Sequence, residues 1–331
     1  MASRLTKYLN LTFLIIGVGL LVGLLFKMDT EEVGARLLQV GWYFPPAFFS
    51  YVLGLFLTAS AWRCIVDPAA SRATYRDFLA ALWAGHAVNQ VTPTASLGEV
   101  FKGTILKGKV DGEELVASLI TFNFMSTFVV QIFTITGPVV VLFAVDLPSE
   151  VIWTLFGAAF IMFIPVGLLA LLLRWGVASK VVGLLQRLPL VKFKDPDALL
   201  TKARSIDERI RRFRKCRPKK FLGAVFCLFL VRLCQVAELW FILMGLLPDE
   251  SAGFLLMLAL LTQTATQLIA WVMTFVPGQV GVAEGGSALL FQWLGMDPLT
   301  GFSMEIMRRI RKLLGISTGL IIGWFVVWRK K

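Results

Sequence analysis

The chain has 331 residues, 57% of them hydrophobic and only 16% charged, with a mean hydropathy of +0.76 and a formal net charge of +12. A soluble domain carries about 25% charged residues, so a soluble globular enzyme and a disordered chain are both excluded. The surplus of 33 Lys and Arg over 21 Asp and Glu suggests nucleic acid on a soluble protein, but on so apolar a chain it is first a topology signal.

Arg4 and Lys7 precede the apolar run Leu9–Phe26. That run is long for a signal peptide and no small-residue cleavage site follows, so it is expected to be a retained first span. Further full spans are expected at Phe44–Trp62, Leu115–Val145, Val151–Leu173, Phe221–Leu247 and Leu299–Trp328, each long enough to cross a bilayer. Phe78–Leu106 and Phe254–Leu294 are apolar too, but residues 89–99 and 277–286 interrupt them with Pro, Gly and polar side chains. Pro removes a backbone donor and Gly weakens a helix, and non-helical backbone at membrane depth needs protein or a wet cavity to satisfy it. Both stretches are therefore expected to be re-entrant helical hairpins with polar tips. The predicted fold is an all-α polytopic membrane protein with six full spans, two hairpins, and both termini cytoplasmic.

Charge placement agrees with that topology. It puts 26 of the 33 basic residues on the cytoplasmic side, 15 of them in residues 174–220, and only Lys27 and Arg36 outside. The external segments carry seven acids: Asp29, Glu31, Glu32, Asp146, Glu150, Asp249 and Glu250. The chain then reads as one transmembrane domain, 1–331, built of inverted halves 1–145 and 146–331. Paired interrupted segments in two halves point to a transporter binding site. Within 174–220, Leu199, Ala203, Ile206, Ile210 and Phe213 form a helical stripe surrounded by arginines. It is expected to be either an amphipathic helix on anionic lipid or a solvated, topology-setting loop.

Five basic residues remain inside the membrane: Arg232, Arg308, Arg309, Arg311 and Lys312. They are accompanied by Glu99, Glu238, Glu284 and Glu305. Charges at this depth cost about 2.5–3.5 kcal/mol each on insertion scales, so they either pair structurally or line a polar path. Arg308 and Arg309 can grip a phosphate as a planar fork, with Glu305 one turn before Arg309 as a neutralising partner. Glu99 and Glu284 fall in the first turns of helices expected to start near Ser96 and Val282. There they cap the helix, or bind a cationic head group or proton. Arg232, Gln235 and Glu238 share one face and suggest a buried hydrogen-bond chain. The candidate substrate-contacting set is Arg308, Arg309, Glu99, Glu284, Pro93, Gly98, Pro277, Gly278, Gly281, Asn89, Arg232 and Glu238.

The four cysteines, Cys64, Cys216, Cys227 and Cys234, have no CxxC spacing, and His86 is the single histidine. Neither a disulfide framework nor a metal site is suggested, no cofactor is expected, and no phosphate-loop motif for ATP occurs.

Asn89-Gln90-Val91-Thr92-Pro93, closing at Gly98-Glu99, and Phe275-Val276-Pro277-Gly278-Gln279-Val280-Gly281-Val282-Ala283-Glu284-Gly285 resemble the two signatures of the lysylphosphatidylglycerol synthase transmembrane, flippase-like family. The resemblance covers most of the chain. It implies a protein of the bacterial cytoplasmic membrane that moves a polar-headed lipid between leaflets: anionic, aminoacylated, or of polyprenyl or hopanoid type. A lipid-synthesising enzyme is the implied partner, and nucleic acid is not. The chain resembles a stand-alone member without the cytosolic synthase domain, and is not itself expected to be an enzyme. An Arg and an Asp that the family often carries near Phe122–Ser126 are missing, which makes the two halves unequal in charge. An intramembrane head-group transferase and a non-transporting membrane partner are the alternative expectations.

Overall fold

The computed structural model describes residues 30–91, 97–142, 196–272 and 281–328, with scattered positions in 149–183. The expected span Leu9–Phe26, nearly all of Val151–Leu173, and the tip residues Pro93, Pro277 and Gly278 lie outside the described residues.

The elements in chain order are all helical: α1 (Thr30–Val40), α2 (Phe44–Ile65), α3 (Tyr75–Val91), α4 (Leu97–Leu106), α5 (Gly112–Leu142), α6 (Pro196–Cys216), α7 (Pro218–Leu246), α8 (Ala252–Val272), α9 (Val282–Trp293) and α10 (Pro298–Trp328). Among the described residues, four stretches are long and apolar enough to cross a membrane: Glu31–Ile65, Gly112–Gly137, Pro218–Leu246 and Ala252–Trp271. Three of them coincide with expected spans. The fourth, α8, was expected to be a short hairpin arm, yet its 21 residues measure about 31 Å at 1.5 Å per residue. In the first interrupted segment the arms are shorter, 17 and 10 residues. α10 has the length of a span, 31 residues, but its central charges lower its hydropathy.

Small residues let these helices approach closely, as helices do where water supplies no hydrophobic drive between them. On α2, Ala47, Ser50, Gly54 and Ala61 are buried on one side. A Cβ on Gly54 would lie 3.8 Å from Cys234 of α7. On α10, Gly315, Gly319 and Gly323 repeat every fourth residue. Added Cβ atoms there would meet Tyr51 of α2, Ala87 and Trp83 of α3, and Ala84 of α3 at 2.5–3.0 Å. Trp83 Nε1 also donates to the Gly315 carbonyl at 3.0 Å. α10 is thus the shared spine. Its first half lies on α9, where a Cβ on Gly301 would come within 2.5 Å of the Ser287 carbonyl. Its second half lies on α3.

Two apolar cores flank this spine. One gathers Trp62, Phe78 and Phe122, with Trp62 edge-on to Phe78 at 5.3 Å and donating to Ser118 Oγ at 3.2 Å. The other gathers Leu239, Leu255, Phe291 and Met304. Outside, Leu222, Phe226, Phe229 and Leu233 leave a face of α7 exposed, at 67% for Leu222 and 59% for Phe226. An apolar face that large calls for lipid rather than water.

α6 is the helix expected in the basic segment, but its stripe turns inward. Ala203 and Phe213 are buried, and Phe213 meets Phe221 of α7 at 6.1 Å. Arg209 bridges to Asp111 at 3.1 Å and to Glu113 at 3.3 Å, and Ser205 donates to Glu113. The stripe therefore seats on protein, while Arg204, Arg211 and Arg212 are exposed.

Next to this helix, Asp67 accepts from Ala69 N–H at 2.9 Å and from Arg217 at 2.6 Å. Partial burial pushes its carboxyl up, but the Ala69 N–H and the Arg217 guanidinium together outweigh that and hold it below the ordinary carboxylate range. A group lowered on folding stabilises above its unfolded value and loses that contribution as pH falls through the folded value. Acidification below about pH 4 should therefore lower the protection of the Ala69 and Arg217 amides relative to their intrinsic exchange rates. Asp67→Asn should make the protection of these amides, relative to their intrinsic exchange rates, independent of pH in this range. The stability involved is under about 1 kcal/mol, because the pair is partly solvated.

Candidate functional site

The site is assembled on α10. Arg308 lies ten residues beyond Pro298, about 15 Å along a helix of 31 residues, so the basic cluster 308–312 occupies mid-helix. Each of its arginines is held from a different direction. Arg309 reaches Glu284 of α9 through its Nε, and Glu284 is fully buried. Arg308 NH1 donates to Glu305 at 2.9 Å, and its Nε stands 4.0 Å from Glu238 of α7. Arg311 pairs with the same Glu238 at 2.9 Å and lies over the Tyr51 ring of α2, 4.3 Å from its centroid. Ser287 of α9 donates to Glu305 at 3.1 Å. One ionic network thus ties α2, α7, α9 and α10 together.

The pairing differs from the expected one. Glu305 neutralises Arg308, three residues on, and leaves Arg309 to Glu284. Glu238 is drawn to α10, away from the expected chain on α7. Arg232 instead donates to Gln235 at 2.8 Å, and Gln263 of α8 donates to the same Gln235 oxygen at 3.2 Å. Arg232 therefore belongs to a separate polar contact between α7 and α8.

Around the first interruption, α4 starts at Leu97 and α9 starts at Val282, close to the expected starts. Gly281 precedes α9 with φ +77°, a left-handed conformation that glycine adopts at little cost. Gly98 N–H donates to Asn89 Oδ1 at 2.7 Å, so Asn89 satisfies the free start of α4. A Cβ on Gly98 would lie 2.0 Å from the Gly85 carbonyl, so glycine there allows α3 and α4 to meet. Among the described residues, the partners of Glu99 are side chains. Its carboxylate takes Lys102 at 2.6 Å, Asn123 of α5 at 3.2 Å and Asn89 at 3.4 Å.

Sequence reasoning missed Lys102. Its charge belonged with the expected cytoplasmic set, but the residue is only 6% exposed and supplies Glu99 with its counter-charge. The i, i+3 spacing from Glu99 was the available signal. Asn123 stands where the family often has charge, and it donates to the same carboxylate. Lys102 supplies a cation there and Asn123 a neutral donor.

The two regions meet at His86 of α3, which lies within electrostatic reach of Lys102, Arg311 and Lys312 and contacts Gln90 at 3.4 Å. Lys312 is within electrostatic reach of Arg308, Arg309, Arg311 and Glu305. Among the described residues no carboxylate oxygen lies within 4.0 Å of it. No group of three or more His, Cys, Asp or Glu suited to a metal occurs among the described residues.

Apolar spanning helices joined by a buried ionic network at mid-helix define a multi-pass helical membrane protein. The chain belongs to the lysylphosphatidylglycerol synthase transmembrane-region family, whose family model matches residues 13–319. No curated protein and no solved structure matches the chain.

Proposed function

We propose that this protein is a flippase-like carrier, not an enzyme, that moves a polar-headed lipid between the leaflets of a bacterial cytoplasmic membrane. The family points to lipid-related biosynthesis or transport. The observation that carries the finer reading is the cluster at mid-α10, flanked by the helix pairs of the two interrupted segments. A head group crossing a bilayer must exchange its water for protein contacts. Arg308, Arg309, Arg311 and Lys312 offer such contacts at the middle of a spanning-length helix. Because the three arginines are already held by carboxylates, a head group that reaches them would compete for existing pairs. The re-entrant form of the two interrupted segments and the inverted relation of the halves belong to this same reading.

The test is leaflet exchange of labelled phospholipids in reconstituted liposomes. Wild-type protein should accelerate exchange of at least one lipid in a broad panel. The double substitution Arg308→Ala with Arg309→Ala should abolish the acceleration. Equal exchange with and without the protein across the whole panel sinks the proposal.

A further inference from the structure

Among the described residues the charges of the mid-α10 network do not balance. Arg308, Arg309 and Arg311 are matched by Glu305, Glu284 and Glu238. Lys312 is one cation more. It lies 14 residues beyond Pro298 in a helix of 31, about 21 Å along it, and so close to its midpoint. Its ammonium makes no hydrogen bond and no ion pair within 4.0 Å among the described residues, although it is only partly exposed. Its neighbours do not relieve it. Arg308, Arg309 and Arg311 repel it, Glu305 is already engaged by Arg308 and Ser287, and His86 on the facing helix α3 carries no negative charge. A protein that needed only structural pairing would gain by a neutral residue here, since an uncompensated charge in this setting is costly. Among the described residues this cation has no anionic partner of its own.

We infer that Lys312 receives the phosphate of a net-anionic lipid head group, with His86 and Gln90 of α3 at the same end of the site. This rests on the lipid-carrier reading and adds a substrate class to it. The surrounding field is positive, so a head group that carries an ammonium beside its phosphate meets repulsion. A bare phosphatidylglycerol-type head group is therefore favoured over zwitterionic and aminoacylated ones. The phosphate must also be lipid-borne, because the face of α10 next to Lys312 presents Leu313 and Leu314, 63% and 45% exposed, an apolar surface suited to acyl chains.

The experiment measures lipid retention by native mass spectrometry on the full chain, with phosphatidylglycerol, phosphatidylcholine and lysylphosphatidylglycerol as probes and inorganic phosphate as competitor. Wild type should retain phosphatidylglycerol about tenfold over the other two lipids, the scale of one charge-assisted contact. Lys312→Gln should remove that preference and leave phosphatidylcholine retention unchanged, while Lys312→Arg should preserve it. Removing an unpaired charge is not expected to lower the melting temperature, so a folded Lys312→Gln protein keeps the result interpretable. Equal retention of all three lipids by wild type, or an unchanged preference in Lys312→Gln, overturns the inference. Displacement of phosphatidylglycerol by an equal concentration of inorganic phosphate overturns the lipid-borne assignment. Leaflet exchange separates this inference from the reading beneath it. Selective binding without exchange sinks the carrier alone, and exchange with charge-blind binding sinks the Lys312 site alone.

Discussion

Arg309→Met is expected to destabilise the protein by about 3–5 kcal/mol, the cost of leaving one member of a buried ion pair behind. Glu284 is fully buried on α9, and Arg309 is the hydrogen-bond partner of its Oε1. Its Oε2 already lacks a hydrogen bond. Without the guanidinium, the carboxylate must either stay charged without compensation or take up a proton. Glu284→Gln combined with Arg309→Met should recover most of the loss, because the charge goes together with its partner. The measurement is a four-member thermal-denaturation cycle in detergent. A single Arg309→Met variant as stable as wild type refutes the pairing. Leaflet exchange lost in the stable double variant would mean that the pair is kept for transport and not for stability.

Gly98→Ala is the second substitution with a large expected effect. The new Cβ would fall 2.0 Å from the Gly85 carbonyl and 2.4 Å from Asn89 Oδ1. Both obstacles are fixed: one is backbone and the other is the acceptor that satisfies the start of α4. α3 and α4 must part, which pulls Asn89 away from the Gly98 N–H and from Glu99. Overpacking of this kind costs about 1–3 kcal/mol and sometimes more, and the lost cap adds roughly 1 kcal/mol. Gly103→Ala on the same helix is the control, since its Cβ would meet nothing within 4 Å. It should be neutral or slightly stabilising, because alanine is the better helix former. Melting temperatures that do not separate Gly98→Ala from Gly103→Ala would refute the required close approach.

Much of the architecture was legible because it rests on local rules. Apolar run length locates α2, α5 and α7, and interrupted runs locate the breaks before α4 and α9, since Pro and Gly act on the backbone wherever they stand. The same rules do not give the length of α8. The short arm expected before the break at 277–286 is one helix of 21 residues, with Thr262, Gln263 and Thr266 buried against neighbours. The stripe on α6 was legible as a stripe, but what it covers was not, because lipid and protein are equally apolar to the pattern.

The sequence by itself determined that this is an all-helical membrane chain, where its helices break, and which charges are too deep to be explained by topology. Hydrophobic length, backbone chemistry and the cost of burying charge depend on residue type and spacing alone. Only the tertiary structure decided which charges meet. Glu305 is nearer in the chain to Arg309 than Glu284 is, yet Glu284 takes the arginine because α9 lies against α10. Lys102 turned from an expected surface charge into a buried partner of Glu99, and Lys312 proved to be the cation of the mid-α10 network without a carboxylate partner among the described residues. Coulomb energy falls with distance through space, not along the chain, so the match between charges depends on the packing of helices that periodicity places but does not pair.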